Sequence, residues 1–201
     1  MIIPIGNWVI DEACRQLREW HLQGHTDWSM AVNLSTLQFE QPSLVKTVLD
    51  CLTRHSVPPG MLILEVTETT AMNNPDESVR VLTALTDAGV KASIDDFGTG
   101  YSSLLYLKRL PACELKIDRA FVKELSGESE DATIVSAIVA LAKTLNLKVV
   151  AEGVETAAQQ TFLTELGCNT LQGYLLGKPI TAQAIMEQCQ HGEMSLPRTR
   201  S

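Results

Sequence analysis

The chain has 201 residues, 45% of them hydrophobic, and a formal net charge of −8. This length and apolar content are enough to bury a full core, and no apolar run approaches the roughly 18 residues of a membrane span, so we expect one soluble globular domain. The excess of acid argues against binding to nucleic-acid polymers, which depends on lysine and arginine.

Six short runs rich in valine, isoleucine and leucine predict strands that are buried on both faces. In chain order they cover residues 28–32, 61–64, 90–94, 113–115, 147–151 and 170–171. The segments between them predict helices, because their apolar residues recur every three or four positions. These helices are expected over residues 7–22, 41–55, 76–88, 131–145 and 156–166.

Proline and glycine mark the ends of several predicted helices. Pro42 and Pro75 lie early in their segments, where proline suits a first helical turn. Gly89 and Gly167 follow the last apolar positions, where helices commonly end. Residues 1–190 are predicted to form the domain. The segment after it, with Pro197 and Arg198-Thr199-Arg200, predicts a disordered tail over residues 191–201.

Alternation of strands and helices predicts a parallel sheet with right-handed crossovers. A polar residue follows each of the six apolar runs. A doubly wound open sheet gathers its ligand groups at one switch point, whereas a (β/α) barrel collects them from all strands at one rim. The pattern favours the barrel.

The cysteines give an indication of the compartment. There are five, scattered along the chain and without a CxxC pair. This argues against a disulfide framework or a zinc site and indicates a reducing, cytoplasmic setting. Residues 1–6 also lack the basic region and cleavage site of a signal peptide.

Two adjacent carboxylates, Asp95 and Asp96, follow the third apolar run. Like charges side by side at a strand end are costly to desolvate, unless a cation lies between them. Further polar groups are expected at the same rim, and with this pair they are Asn33, Glu65, Glu68, Asp95, Asp96, Lys116, Asp118, Glu152, Glu155 and Gln172. Oxygen donors without histidine or cysteine suit Mg²⁺ or Mn²⁺, and a pair of such ions suits hydrolysis of a phosphodiester or phosphomonoester.

Each of these side chains, taken singly, also has a structural explanation. Asp95-Asp96 resembles a solvated acidic turn, Asn33 a turn residue, and Lys116 a surface lysine beside a strand. Their recurrence after all six predicted strands favours a common site.

Six stretches resemble the motifs of one protein family. They are VNLS (32–35), LEVTET (64–69), IDDFGTGYSSL (94–104), LKID (115–118), VVAEGVET (149–156) and LQGYLLGKP (171–179). In order and spacing they are similar to those of EAL domains, the bacterial signalling phosphodiesterases that hydrolyse cyclic di-GMP to linear pGpG. The resemblance implies a modified TIM (β/α)8 barrel that uses two Mg²⁺ or Mn²⁺ ions.

The resemblance also implies the metal ligands. Asn33, Glu65 and Asp95 match the ligands of one ion. Asp95, Asp96 and Glu152 match those of the second, so that Asp95 bridges the pair.

Other roles are implied in the same way. Lys116 resembles the lysine that holds the nucleophilic water, and Glu152 also helps to take its proton. Gln172 resembles a glutamine that supports the site, and Glu68 the glutamate that tethers the loop after Asp96. That loop, residues 97–104, resembles a segment that links the site to formation of a homodimer. Glu155 and Asp118 are supporting acids.

One family feature is absent from the sequence, namely the tripeptide Glu-Ala-Leu itself. Its glutamate would be a further ligand of the first ion. We therefore expect six of the eight strands, an N-terminally truncated barrel, and a longer parent protein with sensor or GGDEF domains through which it could be anchored to a membrane. Three hypotheses follow: an active phosphodiesterase, a catalytically impaired module that binds cyclic di-GMP, or a fragment that takes its missing strands from a partner chain.

Overall fold

The computed structural model describes residues 1–100, 104–125 and 129–190. In that part of the chain six strands form one parallel sheet in the order of the sequence. They are β1 (Met30–Leu34), β2 (Leu62–Thr67), β3 (Lys91–Phe97), β4 (Glu114–Ile117), β5 (Lys148–Ala151) and β6 (Thr170–Leu171). β1 and β6 lie at the two edges of this sheet.

Helices precede the first strand, connect the strands and follow the last one. They are α1 (Ile2–Leu22), α2 (Thr36–Phe39), α3 (Leu44–His55), α4 (Glu68–Asn73), α5 (Pro75–Asp87), α6 (Leu104–Leu107), α7 (Arg119–Lys123), α8 (Glu130–Thr144), α9 (Ala157–Leu166) and α10 (Ala182–Gln190), with a 3₁₀ turn over Pro59–Met61. None of the helices in the described ranges is both long and apolar enough to cross a membrane.

The sequential strand order is that of a (β/α) barrel, since a doubly wound sheet would reverse its order at a switch point. The six strands form part of such a barrel, as predicted. Leu64, Ile94, Leu115 and Val149 lie one on each of the four central strands and are fully buried. They form the layer between sheet and helices.

The strands are longer than predicted at their carboxyl ends. The prediction ended β2 at residue 64 and β3 at residue 94, but Glu65, Asp95 and Asp96 lie inside these strands. The sequence pattern marks polar residues as strand ends, because apolar content is the signal for a buried strand. In a barrel a strand continues past its apolar part, since a polar side chain there faces the rim rather than the core.

Some of the predicted helix boundaries agree with the structure and others do not. Pro75 is the first residue of α5, and Gly167 ends α9 with φ 92°, both as predicted. Pro42 was wrongly placed inside a helix, because α3 begins only at Leu44. α1 begins five residues earlier than predicted, at Ile2. The short helices that follow the strands were not predicted because four to six residues show no periodic pattern, and the predicted tail over 191–201 lies outside the described residues.

Candidate active site at the carboxyl ends of the strands

The polar residues lie at the carboxyl ends of neighbouring strands. In the parallel ladder, Asn33 pairs with Glu65, and Thr67 pairs with Asp95. Lys116 lies in β4, and Glu152 directly follows β5. Because parallel strands share a direction, these side chains meet at the same rim.

Lys116 is the centre of the cluster. Its Nζ lies 2.9 Å from Glu65 Oε1, 3.1 Å from Asp95 Oδ1 and 2.7 Å from Glu152 Oε1. Its side chain is only 5% exposed. The Lys116 ammonium hydrogen-bonds to Glu152 and Glu65 and forms an ion pair with Asp95.

Three carboxylates form a second, overlapping group. Carboxylate oxygens of Asp95, Asp96 and Glu152 lie within 4.8 Å of one another. The Asp96 N–H donates to Asp95 Oδ1 at 3.0 Å. Asp96 has a left-handed backbone, with φ 53°, at a register irregularity between Ile94 and Phe97. This bulge re-aims the Asp96 side chain, as bulges beside functional sites commonly do.

The electrostatics of the cluster follow from burial and crowding. Burial raises the pKa of the Glu65 carboxyl, and Lys116 offsets only part of that rise. Burial, and next the charge of Asp95, raise the pKa of Asp96. Burial also opposes the charge on Lys116, but its hydrogen bonds to Glu152 and Glu65 outweigh burial and raise its pKa.

The donor set fits hard divalent cations. One ammonium faces four carboxylates, so the cluster of Glu65, Asp95, Asp96 and Glu152 carries an excess of negative charge. All of the donors are oxygens, which Mg²⁺ and Mn²⁺ prefer. A cation between the acids would remove the repulsion that burial strengthens.

Glu68 holds the chain that follows Asp96. Its side chain is buried, and its Oε2 accepts a hydrogen bond of 2.8 Å from the N–H of Gly98. A Cβ atom at Gly100 would lie 2.9 Å from Glu68 Oε1, so the backbone passes close to the carboxylate there. Residues 101–103 of the same predicted loop lie outside the described residues.

Of the remaining predicted residues, three are exposed and one borders the acidic cluster. Asn33 and Gln172 are exposed, on β1 and just after β6, and in the described ranges neither side chain hydrogen-bonds to the cluster. Glu155 is exposed, and its N–H donates to Gln159 Oε1 at 2.8 Å. Asp118 borders the acidic cluster, since its side chain hydrogen-bonds with Asp96, and its Oδ1 also caps α7 by accepting from the Ala120 N–H at 2.7 Å.

Sequence reasoning missed the hydroxyl groups near the rim. Thr36, Thr67 and Thr70 form a chain of hydrogen bonds between two strand–helix corners. Ser93 is fully buried in β3, and its Oγ has no hydrogen-bond partner among the described residues. The sequence does offer one signal for the threonine group. Thr67, two residues after Glu65, is a residue type that commonly caps the start of a helix.

An EAL domain family model matches residues 1–179, nine-tenths of the chain. The chain belongs to the EAL domain family. Among curated proteins it is 64% identical over 186 residues to the bifunctional diguanylate cyclase/cyclic di-GMP phosphodiesterase MucR of Pseudomonas aeruginosa, covering 92% of this chain and 27% of MucR. It is 46% identical over 187 residues to the cyclic di-GMP phosphodiesterase NbdA of the same organism, covering 93% of this chain and 24% of NbdA.

A solved structure of the MucR phosphodiesterase in complex with c-di-GMP has a TM-score of 0.89 to this EAL domain. The sequence identity is 65%, and the match covers 92% of this chain and 74% of that one. The predicted family resemblance is thereby confirmed. The chain spans about a quarter of the length of the curated relatives it matches.

Proposed function

We propose that this EAL domain hydrolyses cyclic di-GMP to linear pGpG with two divalent cations. The observation that carries the proposal is the cluster in which Lys116 contacts Glu65, Asp95 and Glu152 at the strand ends. MucR and NbdA, which are named as cyclic di-GMP phosphodiesterases, support the choice of substrate.

The proposed ligands follow the geometry of the rim. Asn33, Glu65 and Asp95 would hold one Mg²⁺ or Mn²⁺, and Asp95, Asp96 and Glu152 the other. The carboxylates within 4.8 Å support the second set, and the Asn33–Glu65 register supports the first. When bound, two such ions lower the pKa of a water molecule and neutralise the negative charge of a phosphodiester.

The chain's own residues then have separate tasks. Lys116, as a charged donor, orients the attacking water but takes no proton from it. Glu152 Oε1 is the proposed acceptor of that proton, since its side chain is 20% exposed and so more accessible than Glu65 or Asp95. Glu68 keeps the chain after Asp96 against the rim through Gly98. Gln172 and Glu155 are proposed as supporting groups at the periphery.

We further propose that the domain forms a homodimer through the segment that follows Asp96. Leu104 and Leu105 of α6 support this, because their side chains are 60% and 69% exposed in the described structure. The proposed compartment is the cytoplasm, in keeping with free cysteines. Sensor or GGDEF domains in a longer protein are consistent with the cyclase activity in the name of MucR.

The test is an assay of the 201-residue chain with cyclic di-GMP and Mg²⁺ or Mn²⁺, with the products separated by chromatography. We expect pGpG from the unsubstituted chain and a loss of at least about 100-fold in kcat for Asp95→Asn and Glu152→Gln. Glu165→Gln, on the exposed side of α9, is the matched control and should retain activity.

A cooperative thermal melt must first show that each variant is folded. If the folded chain binds cyclic di-GMP in calorimetry but forms no product, the enzyme assignment is wrong and the domain is a binding module. Unchanged turnover in Asp95→Asn would contradict the proposed site.

A further inference from the structure

Three threonine hydroxyls connect two corners of the rim. Thr67 Oγ1 donates to Thr70 Oγ1 at 2.9 Å, and Thr70 Oγ1 lies 2.7 Å from Thr36 Oγ1. Because the oxygen of Thr70 already accepts from Thr67, its own proton is free to donate to Thr36. Thr70, in the middle of this chain of hydrogen bonds, is only 4% exposed.

The two ends of the chain lie beside two proposed metal ligands. Thr36 begins α2 three residues after Asn33, and Thr67 ends β2 two residues after Glu65. The last paired residues of β1 and β2 are Leu34 and Val66. The hydroxyl chain therefore joins the two strands just beyond the end of their backbone ladder.

Among the described residues, β1 is paired with β2, and Asn33 lies near the carboxyl end of β1, opposite Glu65. The hydroxyl chain adds a side-chain connection between the same two strands just beyond these paired residues.

Capping of α4 accounts for only part of the network. The Thr70 N–H donates to Thr67 Oγ1 at 3.3 Å, which is an ordinary N-cap. The bond between Thr70 and Thr36 adds nothing to that cap, since it leaves α4 and reaches α2. This bond joins residues 34 positions apart in the sequence, so helix capping does not explain it.

We propose that Thr70 is a positioning residue that fixes Asn33 opposite Glu65 for binding of the first cation. This inference rests on the proposed function, in which both side chains are ligands of that ion. Thr70 touches neither substrate nor metal and acts through the strand–helix corners at Thr36 and Thr67.

The experiment compares Thr70→Val, which keeps the shape and removes the hydroxyl, with Thr70→Ser, which keeps the hydroxyl. Mn²⁺ binding to the folded 201-residue chain is measured by calorimetry. We expect Thr70→Val to raise the Kd of one of the two Mn²⁺ sites about tenfold, the lower end of the range for residues that orient a metal ligand, and Thr70→Ser to restore that Kd. Thr86→Val is the matched control, because Thr86 donates to Leu82 O at 3.0 Å within α5, away from the rim.

A second measurement needs no metal. Amide hydrogen exchange at residues 32–35 should be about fivefold faster in Thr70→Val than in the unsubstituted chain or in Thr86→Val, the factor expected for one lost hydrogen bond. Equal exchange and equal Mn²⁺ affinity in Thr70→Val would overturn the inference. If the unsubstituted chain binds no Mn²⁺, the proposed function fails, and the exchange result alone decides whether Thr70 positions the end of β1.

Discussion

Lys116 shows how a single residue makes the rim stable before any ligand is bound. Glu65, Asp95 and Glu152 would repel one another in a partly buried setting, and the Lys116 ammonium contacts all three. Removal of one charged partner from such a group destabilises the fold by more than the intact group stabilises it, because the remaining charges stay buried without a partner. The same lysine therefore offsets the repulsion among the acids and is a proposed donor in the reaction.

Lys116→Met tests both roles at the residue scale. We expect a loss of 100-fold or more in kcat, of the order that a positioned donor contributes, together with a lower Tm in the absence of metal. Lys148→Met is the control, because Lys148 begins β5 with an exposed side chain. A Lys116→Met variant with an unchanged Tm would show that the three acids do not depend on this ammonium.

The backbone of Asp96 allows a separate test. Its φ of 53° lies in the left-handed region, which aspartate and asparagine tolerate better than alanine does. Asp96→Asn and Asp96→Ala both remove the charge, so their difference contains the backbone strain together with the side-chain hydrogen bond to Asp118 that asparagine can keep. In urea unfolding of the metal-free protein we expect Asp96→Ala to be less stable than Asp96→Asn by about 1 kcal/mol. Equal stabilities would argue against strain at this position.

At the scale of elements, the corners between strands and the helices that follow them hold the residues of the site in place. Ser35, Thr67 and Asp118 each accept a hydrogen bond from the first turn of the helix that follows β1, β2 and β4. Each cap fixes the direction in which the chain leaves the rim, and each lies two residues after a proposed ligand or Lys116. Rigid corners of this kind keep ligands from different strands in one geometry.

α1 packs on one of these corners through a glycine. A Cβ atom at Gly6 would lie 1.9 Å from Nε2 of Gln38, which is 3% exposed and forms the capping box of α2 with Ser35. We expect Gly6→Ala to lower the free energy of unfolding by about 1–3 kcal/mol, since the amide has to leave its place. Gly177→Ala is the control, because nothing lies within 4 Å of its Cβ position.

The double variant Gly6→Ala with Gln38→Ala identifies the cause of that loss. The second substitution removes the clash and costs about 1 kcal/mol of capping, so its cost should be smaller in the presence of Gly6→Ala than alone. Urea unfolding of the four proteins measures this difference. Strict additivity would mean that Gly6 and Gln38 do not compete for the same space.

For the whole molecule, the acidic rim predicts that stability depends on divalent cations. A ligand present at 100 times its Kd stabilises the folded state by about 2.7 kcal/mol. For a chain of this size we therefore expect saturating Mn²⁺ to raise the Tm by roughly 5–10 °C. Asp95→Asn should lose most of that shift while Glu165→Gln retains it, as measured by calorimetric scans at equal ionic strength. A shift of the same size in both variants would place the bound ions elsewhere.

The strand count and order could be predicted from the sequence because strands buried on both faces appear as continuous apolar runs. The ends could not, since Glu65 and Asp95 are polar residues within strands and only a curved sheet makes room for them. Short helices such as α4 and α7 also gave no signal of their own. Their caps at Thr67 and Asp118 became interpretable only once the corners were seen.

The sequence by itself determined the family, the barrel-type order of strands and the identities of the acids and the lysine, because these follow from apolar periodicity and from motifs local in the chain. Only the tertiary structure decided which of the candidates meet. Glu65, Asp95, Lys116 and Glu152 converge, whereas Glu155 stays exposed beside α9. Contact between residues far apart in sequence depends on strand register, on the bulge at Asp96 and on corners such as the one at Thr70, and those arise from packing rather than from local pattern.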